Sequence, residues 1–271
     1  MLPATKSVPK ELLPVGNVPA IQLIYDECLS SGVSDICVVL GDNKNSIIDY
    51  TEKSIFLEKK LAGANASEEC LAAEKCLSQL NVTYVKQGSA RGTAKALARC
   101  EKFVGGEPFC VVFPDEIIFS ETPVLKQLIT AHDKCGCPIV GVARVKAEDC
   151  PKYGMISYRR NKGRYYEIDS IVEKPAKNPP SLFASCGRFV LDADIFTKIA
   201  EIPPQNNEYY LPTAINALAK DTAVYAYEFE GKRFDTGNKT GFVQASIEYL
   251  SRDKAAMSGL KTYLEEIIKT I

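Results

Sequence analysis

The tetrapeptide Val172-Glu173-Lys174-Pro175 sets a carboxylate beside an ammonium where a strand-like run, Tyr165 to Val172, is closed by a proline. Ligands of open α/β sheets gather at the carboxyl ends of strands. Neighbouring strand side chains point to opposite faces, so Glu173 and Lys174 can meet different groups, one of them hydroxyls and the other a phosphate. Asp115 stands in a similar position, at the end of Pro108–Phe113, and so does Asp235 in Phe234-Asp235-Thr236-Gly237. Strand-end carboxylates that converge can hold Mg²⁺, which takes one or two carboxylates together with phosphate oxygens and water. Lys10, Lys174 and Arg91 can balance phosphate charge. Gln87 and Gly92 flank a loop running into a helix start, where an amide side chain and backbone N–H groups suit a base edge or an anion. Taken singly, each of these is equally an exposed turn, a cap or a solvated cation. Together they point to an enzyme acting on a nucleotide and a phosphate.

Composition narrows the chemistry. His132 is the single histidine, in a polar helix-end context that predicts a solvated ring, so histidine-rich metal sites are excluded. The ten cysteines are scattered, and a setting such as Ile36-Cys37-Val38-Val39 predicts small buried hydrophobes. Cys135-Gly136-Cys137 is a tight pair with no second pair at zinc spacing, which argues against a metal there. With 33 basic against 34 acidic residues, no field for nucleic acid or a membrane surface is evident. No apolar run approaches the ~20 residues of a membrane span. Met1 to Lys6 lacks the apolar core of a signal peptide, so a reducing cytoplasm is expected.

The elements that must position these residues follow from periodicity and punctuation. The 271 residues, 46% apolar, suffice for one large core. Pro19 opens a helix to about Ser31, and Gly32 ends it. Asp35–Leu40, Val82–Val85, Pro108–Phe113 and Pro138–Val145 read as strands; the first and third are continuous apolar runs of the buried kind. Helices are predicted near 43–50, 54–62, 67–79, from Gly92 to about Lys102, and over 121–134. Strand then dominates, at 154–160, 164–172, 184–191 and 223–230, with Asp192 capping a short helix and another over Leu211–Lys220. Helices at 239–250 and 254–270 close the chain. This alternation predicts an α/β fold of Rossmann-like type, a mainly parallel mixed sheet with helices on both faces. A single domain is expected, with a nucleotide-binding half at 1–145, a sugar-binding half at 146–238 and C-terminal helices at 239–271.

Eight ordered motifs carry a resemblance that covers nearly the whole chain. They are the start Met1-Leu2-Pro3-Ala4-Thr5-Lys6 with Pro9-Lys10-Glu11-Leu12-Leu13-Pro14-Val15, then Lys44-Asn45-Ser46-Ile47, Gln87-Gly88, Phe113-Pro114-Asp115 and Lys152-Tyr153-Gly154, followed by Val172-Glu173-Lys174-Pro175, Gly187-Arg188-Phe189-Val190 and Phe234-Asp235-Thr236-Gly237-Asn238-Lys239. In these the chain resembles bacterial UTP–glucose-1-phosphate uridylyltransferases, also called UDP-glucose pyrophosphorylases, of the sugar nucleotidyltransferase superfamily. The resemblance implies uridylyl transfer from UTP to glucose 1-phosphate, giving UDP-glucose and pyrophosphate for carbohydrate biosynthesis. It implies that Gln87 and the Gly92 backbone read the uracil, and that Asp115 and Asp235 hold Mg²⁺, with Asp115 also on the nucleotide. Lys10 would lie along the nucleotide phosphates. Lys174 would bind the sugar phosphate, Glu173 the glucose hydroxyls, and the Gly154 amide another sugar oxygen. Homodimers or homotetramers are common in the family.

Three departures from the family pattern leave alternatives open. The family places a buried strand and a Gly-x-Gly-Thr-Arg loop before the Leu-Pro-Ala-Thr-Lys segment, whereas Met1 stands just after that arginine's position. The expectation is therefore a sheet without its first central strand, two strands short of a ladder partner, and a chain with little turnover as written. Gly92-Thr93-Ala94-Lys95-Ala96 is closer to other superfamily branches, and Leu211-Pro212-Thr213-Ala214 lacks the usual aspartate. A thymidylyl- or other sugar-1-phosphate nucleotidyltransferase and a non-catalytic regulatory homologue are the alternatives.

Overall fold

In the computed structural model the protein is described over residues 1–52, 68–89 and 91–270. The strands in chain order are β1 (Pro14–Val15), β2 (Val18–Pro19), β3 (Asp35–Leu40), β4 (Asn81–Lys86), β5 (Phe109–Val112), β6 (Glu116–Phe119), β7 (Ile139–Arg144), β8 (Gly154–Lys162), β9 (Tyr165–Glu173), β10 (Phe183–Leu191), β11 (Tyr225–Glu228) and β12 (Lys232–Asp235). Six of them form one sheet in the order β5-β10-β7-β11-β9-β8, while β3–β4 and β12–β6 form two-stranded ladders beside it. Parallel pairing joins β3 to β4 and β7 to β11, and β10 runs antiparallel to β5, β7 and β8. The mixed α/β character stands, with a larger antiparallel share than an alternation of strand and helix suggests.

Side chains of the large sheet alternate between two helical layers, as the two-residue strand period requires. Val140, Val142, Phe189 and Leu191 pack on one face with Ile195 of helix Asp194–Glu201 and Leu211 and Ile215 of helix Leu211–Leu218. Ile139 and Val190 face the other way, onto Val124, Leu128 and Ala131 of helix Val124–Cys135. Pro123 precedes that helix, and Gly136, in the left-handed region at φ 61°, ends it. The helix expected from 121 thus starts after the proline. The helix expected to run from Gly92 to about Lys102 is instead two short pieces, Thr93–Ala98 and Glu101–Val104.

Several expectations change. β3 and β5 read as buried strands, yet Ile36 to Val39 and Phe109 to Val112 are only half-buried. Among the described residues β3 pairs with β4 alone and β5 with β10 alone, so each keeps one open edge. His132 is not solvated: its side chain is 12% exposed, and Nε2 lies 3.1 Å from Asp192 Oδ1. Asp192 therefore caps nothing through its side chain. Half of the cysteines, 28, 76, 100, 150 and 186, are buried as expected; the other five are partly exposed, and all ten are free thiols. The helix near 54–62 lies outside the described residues. The closing helix, Lys254–Ile268, buries no residue fully; Leu260, Leu264 and Ile267 are half-buried, while Tyr263 and Ile268 are exposed. Among the described residues no helix is long and apolar enough to cross a membrane.

Candidate active site

Asp115 follows β5 in a turn, Phe113 to Glu116, whose main chain is held at several points. The Phe113 amide donates to Gly187 O at 2.8 Å. Asp115 O accepts from the Thr236 amide at 2.8 Å and the Thr236 hydroxyl at 2.9 Å. Arg188, with no exposed surface, donates to Phe113 O at 3.0 Å and Glu116 O at 2.8 Å. Its remaining donors hold Glu27, whose Oε1 also accepts from the Leu125 amide at the start of helix Val124–Cys135. With its main chain fixed, the turn presents the Asp115 carboxylate outward.

The antiparallel register of β6 and β12 sets Asp235 opposite Glu116, and hence beside Asp115. A Cβ placed on Gly237 would stand 2.9 Å from Asp235 Oδ1 and 3.6 Å from Asp115 Oδ2, so both carboxylates reach toward one point. Lys10, from the single-turn helix Lys10–Leu12, brings Nζ to 2.6 Å from Asp115 Oδ2. Burial disfavours the Lys10 charge, but the Asp115 carboxylate more than offsets this, and its pKa rises. Lys10, Asp115 and Asp235 are thus brought together. This hard-oxygen pair fits a Mg²⁺ ion completed by phosphate oxygens and water. Beside it opens a cavity of ≈ 560 Å³ lined by Lys6, Lys10, Asp42, Asn43, Lys44 and Gly237. Lys44 Nζ is 2.6 Å from Glu11 Oε1, and the other oxygen of this buried carboxylate has no partner among the described residues.

Gly154, Glu173 and Lys174 also converge. Gly154 is the register partner of Glu173 across β8 and β9, and a Cβ on Gly154 would meet Glu173 Oε2 at 3.0 Å. Lys174 Nζ lies 3.8 Å from Glu173 Oε1, with both side chains exposed, so the two carry a weak mutual attraction after all. Asn216 holds the main chain just upstream, accepting from Ile171 N at 2.7 Å and donating to Ile171 O at 2.9 Å.

Gln87 and Gly92 belong to the loop after β4. Arg99 Nε donates to Gln87 O at 3.2 Å. Gly92 has φ 94°, and a Cβ there would stand 2.3 Å from Tyr209 O. The helix that begins at Thr93 has given its Ala94 amide to that same Tyr209 carbonyl, so this N–H is not open to an anion as expected. Arg91 is exposed, and its carbonyl receives the Tyr209 amide. The adjoining Tyr210 hydroxyl has its pKa raised chiefly by Glu208, with Glu173 a smaller contributor. The Tyr209 main chain therefore lies against the Gly92 turn.

A family model described as nucleotidyl transferase matches residues 1–252. The chain belongs to the nucleotidyl transferase family. Among relatives of this transferase, a UTP–glucose-1-phosphate uridylyltransferase of Bacillus subtilis (strain 168), YngB, is 38% identical over 270 residues, covering 99% of this chain and 91% of that protein. An apo UDP-glucose pyrophosphorylase structure superposes with TM-score 0.88 at 34% identity, covering 93% of this chain and 94% of the other. A UDP-glucose pyrophosphorylase complexed with UDP-glucose gives TM-score 0.85 at 33% identity, with the same coverage. Nucleotidyl transfer is thus the chemistry of the family to which this chain belongs.

Sequence reasoning missed Thr236, Arg188, Arg233, Glu116, Asn216, Lys6 and Lys44. Thr236 and Arg188 lie inside quoted motifs, and Arg233 shares a strand face with Asp235 two residues on, so spacing could have flagged these. Asn216 carries no such signal, because its partner is a main-chain segment 45 residues away.

Proposed function

We propose that the protein transfers a uridylyl group from UTP to glucose 1-phosphate, giving UDP-glucose and pyrophosphate. The observation that carries this reading is the convergence of Asp115 and Asp235 on one point with Lys10 against them. The nucleotide would occupy the half formed by residues 1–145, with its base near Gln87 and Gly92 and its phosphates near Lys10, Lys6 and Lys44. The sugar phosphate would occupy the half at 146–238, with Glu173 on the glucose hydroxyls, Lys174 on the phosphate and the Gly154 amide on a ring substituent. Asp115 and Asp235 would hold Mg²⁺, which when bound supplies charge neutralisation at the phosphates. A sugar-phosphate oxygen attacks the α-phosphorus in line and pyrophosphate leaves. The attacking phosphate is already anionic, so no general base is required, consistent with a single histidine held by Asp192. The chain's own part is to position two anions and offset their repulsion with lysines. Work of this kind belongs in the cytoplasm, and a homodimer or homotetramer is the expected assembly.

The test is pyrophosphate release from UTP, glucose 1-phosphate and Mg²⁺, with dTTP and other sugar phosphates as competitors, alongside calorimetric binding of UDP-glucose. Saturable UDP-glucose binding that Glu173→Ala weakens, with UTP preferred over dTTP, is the expected result. A folded chain that neither releases pyrophosphate nor binds UDP-glucose would sink the proposal.

A further inference from the structure

One residue ties the two halves of the site together. The guanidinium of Arg233 lies over the ring of Tyr153, 4.0 Å from its centroid. Arg233 is held in turn by Glu116, donating through Nε and Nη2 to the two carboxylate oxygens, and its side chain is only 8% exposed. Glu116 follows Asp115 and opposes Asp235, so the Tyr153 ring is fastened to the carboxylate end of the site. The main chain of Tyr153 is fastened to the opposite end. Its carbonyl receives the Lys174 amide at 3.1 Å. Lys174 has φ 44°, a left-handed conformation that costs a side-chain-bearing residue free energy and persists only when its surroundings impose it. Gly154, the next residue, opposes Glu173. Upstream, the Tyr153 amide donates to the carbonyl of the fully buried Cys150, so the segment cannot drift away from the core.

We infer that Tyr153 is a positioning residue that sets the Gly154 amide, Glu173 and Lys174 at a fixed offset from the Asp115–Asp235 pair. This rests on the reading that those three residues hold the sugar phosphate. An aliphatic side chain would fill much of the same space but offers no π face to Arg233. Residue 153 would then lose its anchor, and the carbonyl that receives the Lys174 amide would shift with it. The guanidinium sits over the face of the ring, a contact that phenylalanine keeps.

The experiment uses the full chain with Tyr153→Leu, Tyr153→Met, Tyr153→Phe and Glu173→Ala, each checked for fold by circular dichroism. Calorimetry measures the Kd of UDP-glucose and of UTP with Mg²⁺. Tyr153→Leu and Tyr153→Met are expected to weaken UDP-glucose about tenfold, the scale of coupling carried by intermediary residues. UTP should stay within about twofold, and Tyr153→Phe should restore UDP-glucose binding. Equal loss of both ligands, or failure of both aliphatic variants to fold, would reduce Tyr153 to a merely structural role. Unchanged UDP-glucose affinity in the aliphatic variants, with a clear loss in Glu173→Ala, would overturn the inference and leave the sugar-site reading intact. No loss in Glu173→Ala would remove the sugar-site reading and the inference with it.

Discussion

Asp115 has an ammonium against one oxygen and a second carboxylate close by, an arrangement stable only while cations balance it. Removing one hard-oxygen ligand should be felt in turnover more than in folding. Asp235→Asn is expected to lower pyrophosphate release by about 10²–10³-fold, the scale of losing one group that stabilises transition-state charge. The Mg²⁺ concentration for half-maximal rate should rise in the same titration. Lys10 adds a pH signature. Although burial opposes its charge, Asp115 holds its pKa above the ordinary 10.5. A raised folded-state pKa means the stabilisation is fully present below 10.5 and fades as pH climbs through the folded value. Lys10→Met should therefore melt below the parent chain at pH 7, with the gap narrowing above about pH 10.5. A gap that widens with alkali would contradict the ion pair.

The elements set where these residues stand. Gly92 is needed because the turn into helix Thr93–Ala98 passes against the Tyr209 main chain with φ 94°. Gly92→Ala should cost about 2–4 kcal/mol in urea denaturation, since backbone rather than a movable side chain blocks the Cβ. Asn216 fixes β9 just before its Glu173 end. Asn216→Leu leaves the Ile171 amide and carbonyl without partners, and a loss of about 1–3 kcal/mol is expected together with a raised KM for glucose 1-phosphate. An unchanged KM would show that β9 holds Glu173 in place without this clamp.

Over the whole molecule, the buried Glu27–Arg188 pair joins helix Ala20–Ser30, β10, the start of helix Val124–Cys135 and the Asp115 turn. Breaking a buried pair strands its partner, so Arg188→Met should cost about 3–5 kcal/mol. Adding Glu27→Met should recover part of that loss, as a double-mutant cycle in urea would show. Recovery should be incomplete, because Glu116 O loses its donor and Phe113 O one of its two. The same enclosed environment pushes the Cys28 and Cys186 thiols up to about 12 by burial. Neither should react with alkylating reagents at pH 8 before the chain unfolds.

Much of this protein can be read from its order of residues. Apolar runs separated by helical periods placed eight of the strands, because burial of alternating faces is a local property of the pattern, but left out the short β1, β2, β6 and β12. Strand-end acids and the Glu173-Lys174 step marked the candidate site, because ligand-bearing ends of α/β sheets follow from where each strand stops. Tertiary structure alone decided how those residues meet. Glu27 and Arg188 are 161 positions apart, and Glu116 and Arg233 are 117 apart. No spacing rule relates such pairs, since they depend on which strands become neighbours and in what register. The half-burial of β3 and β5 was likewise hidden: an apolar run shows that a strand seeks cover, while the ladder partners present decide how much it finds.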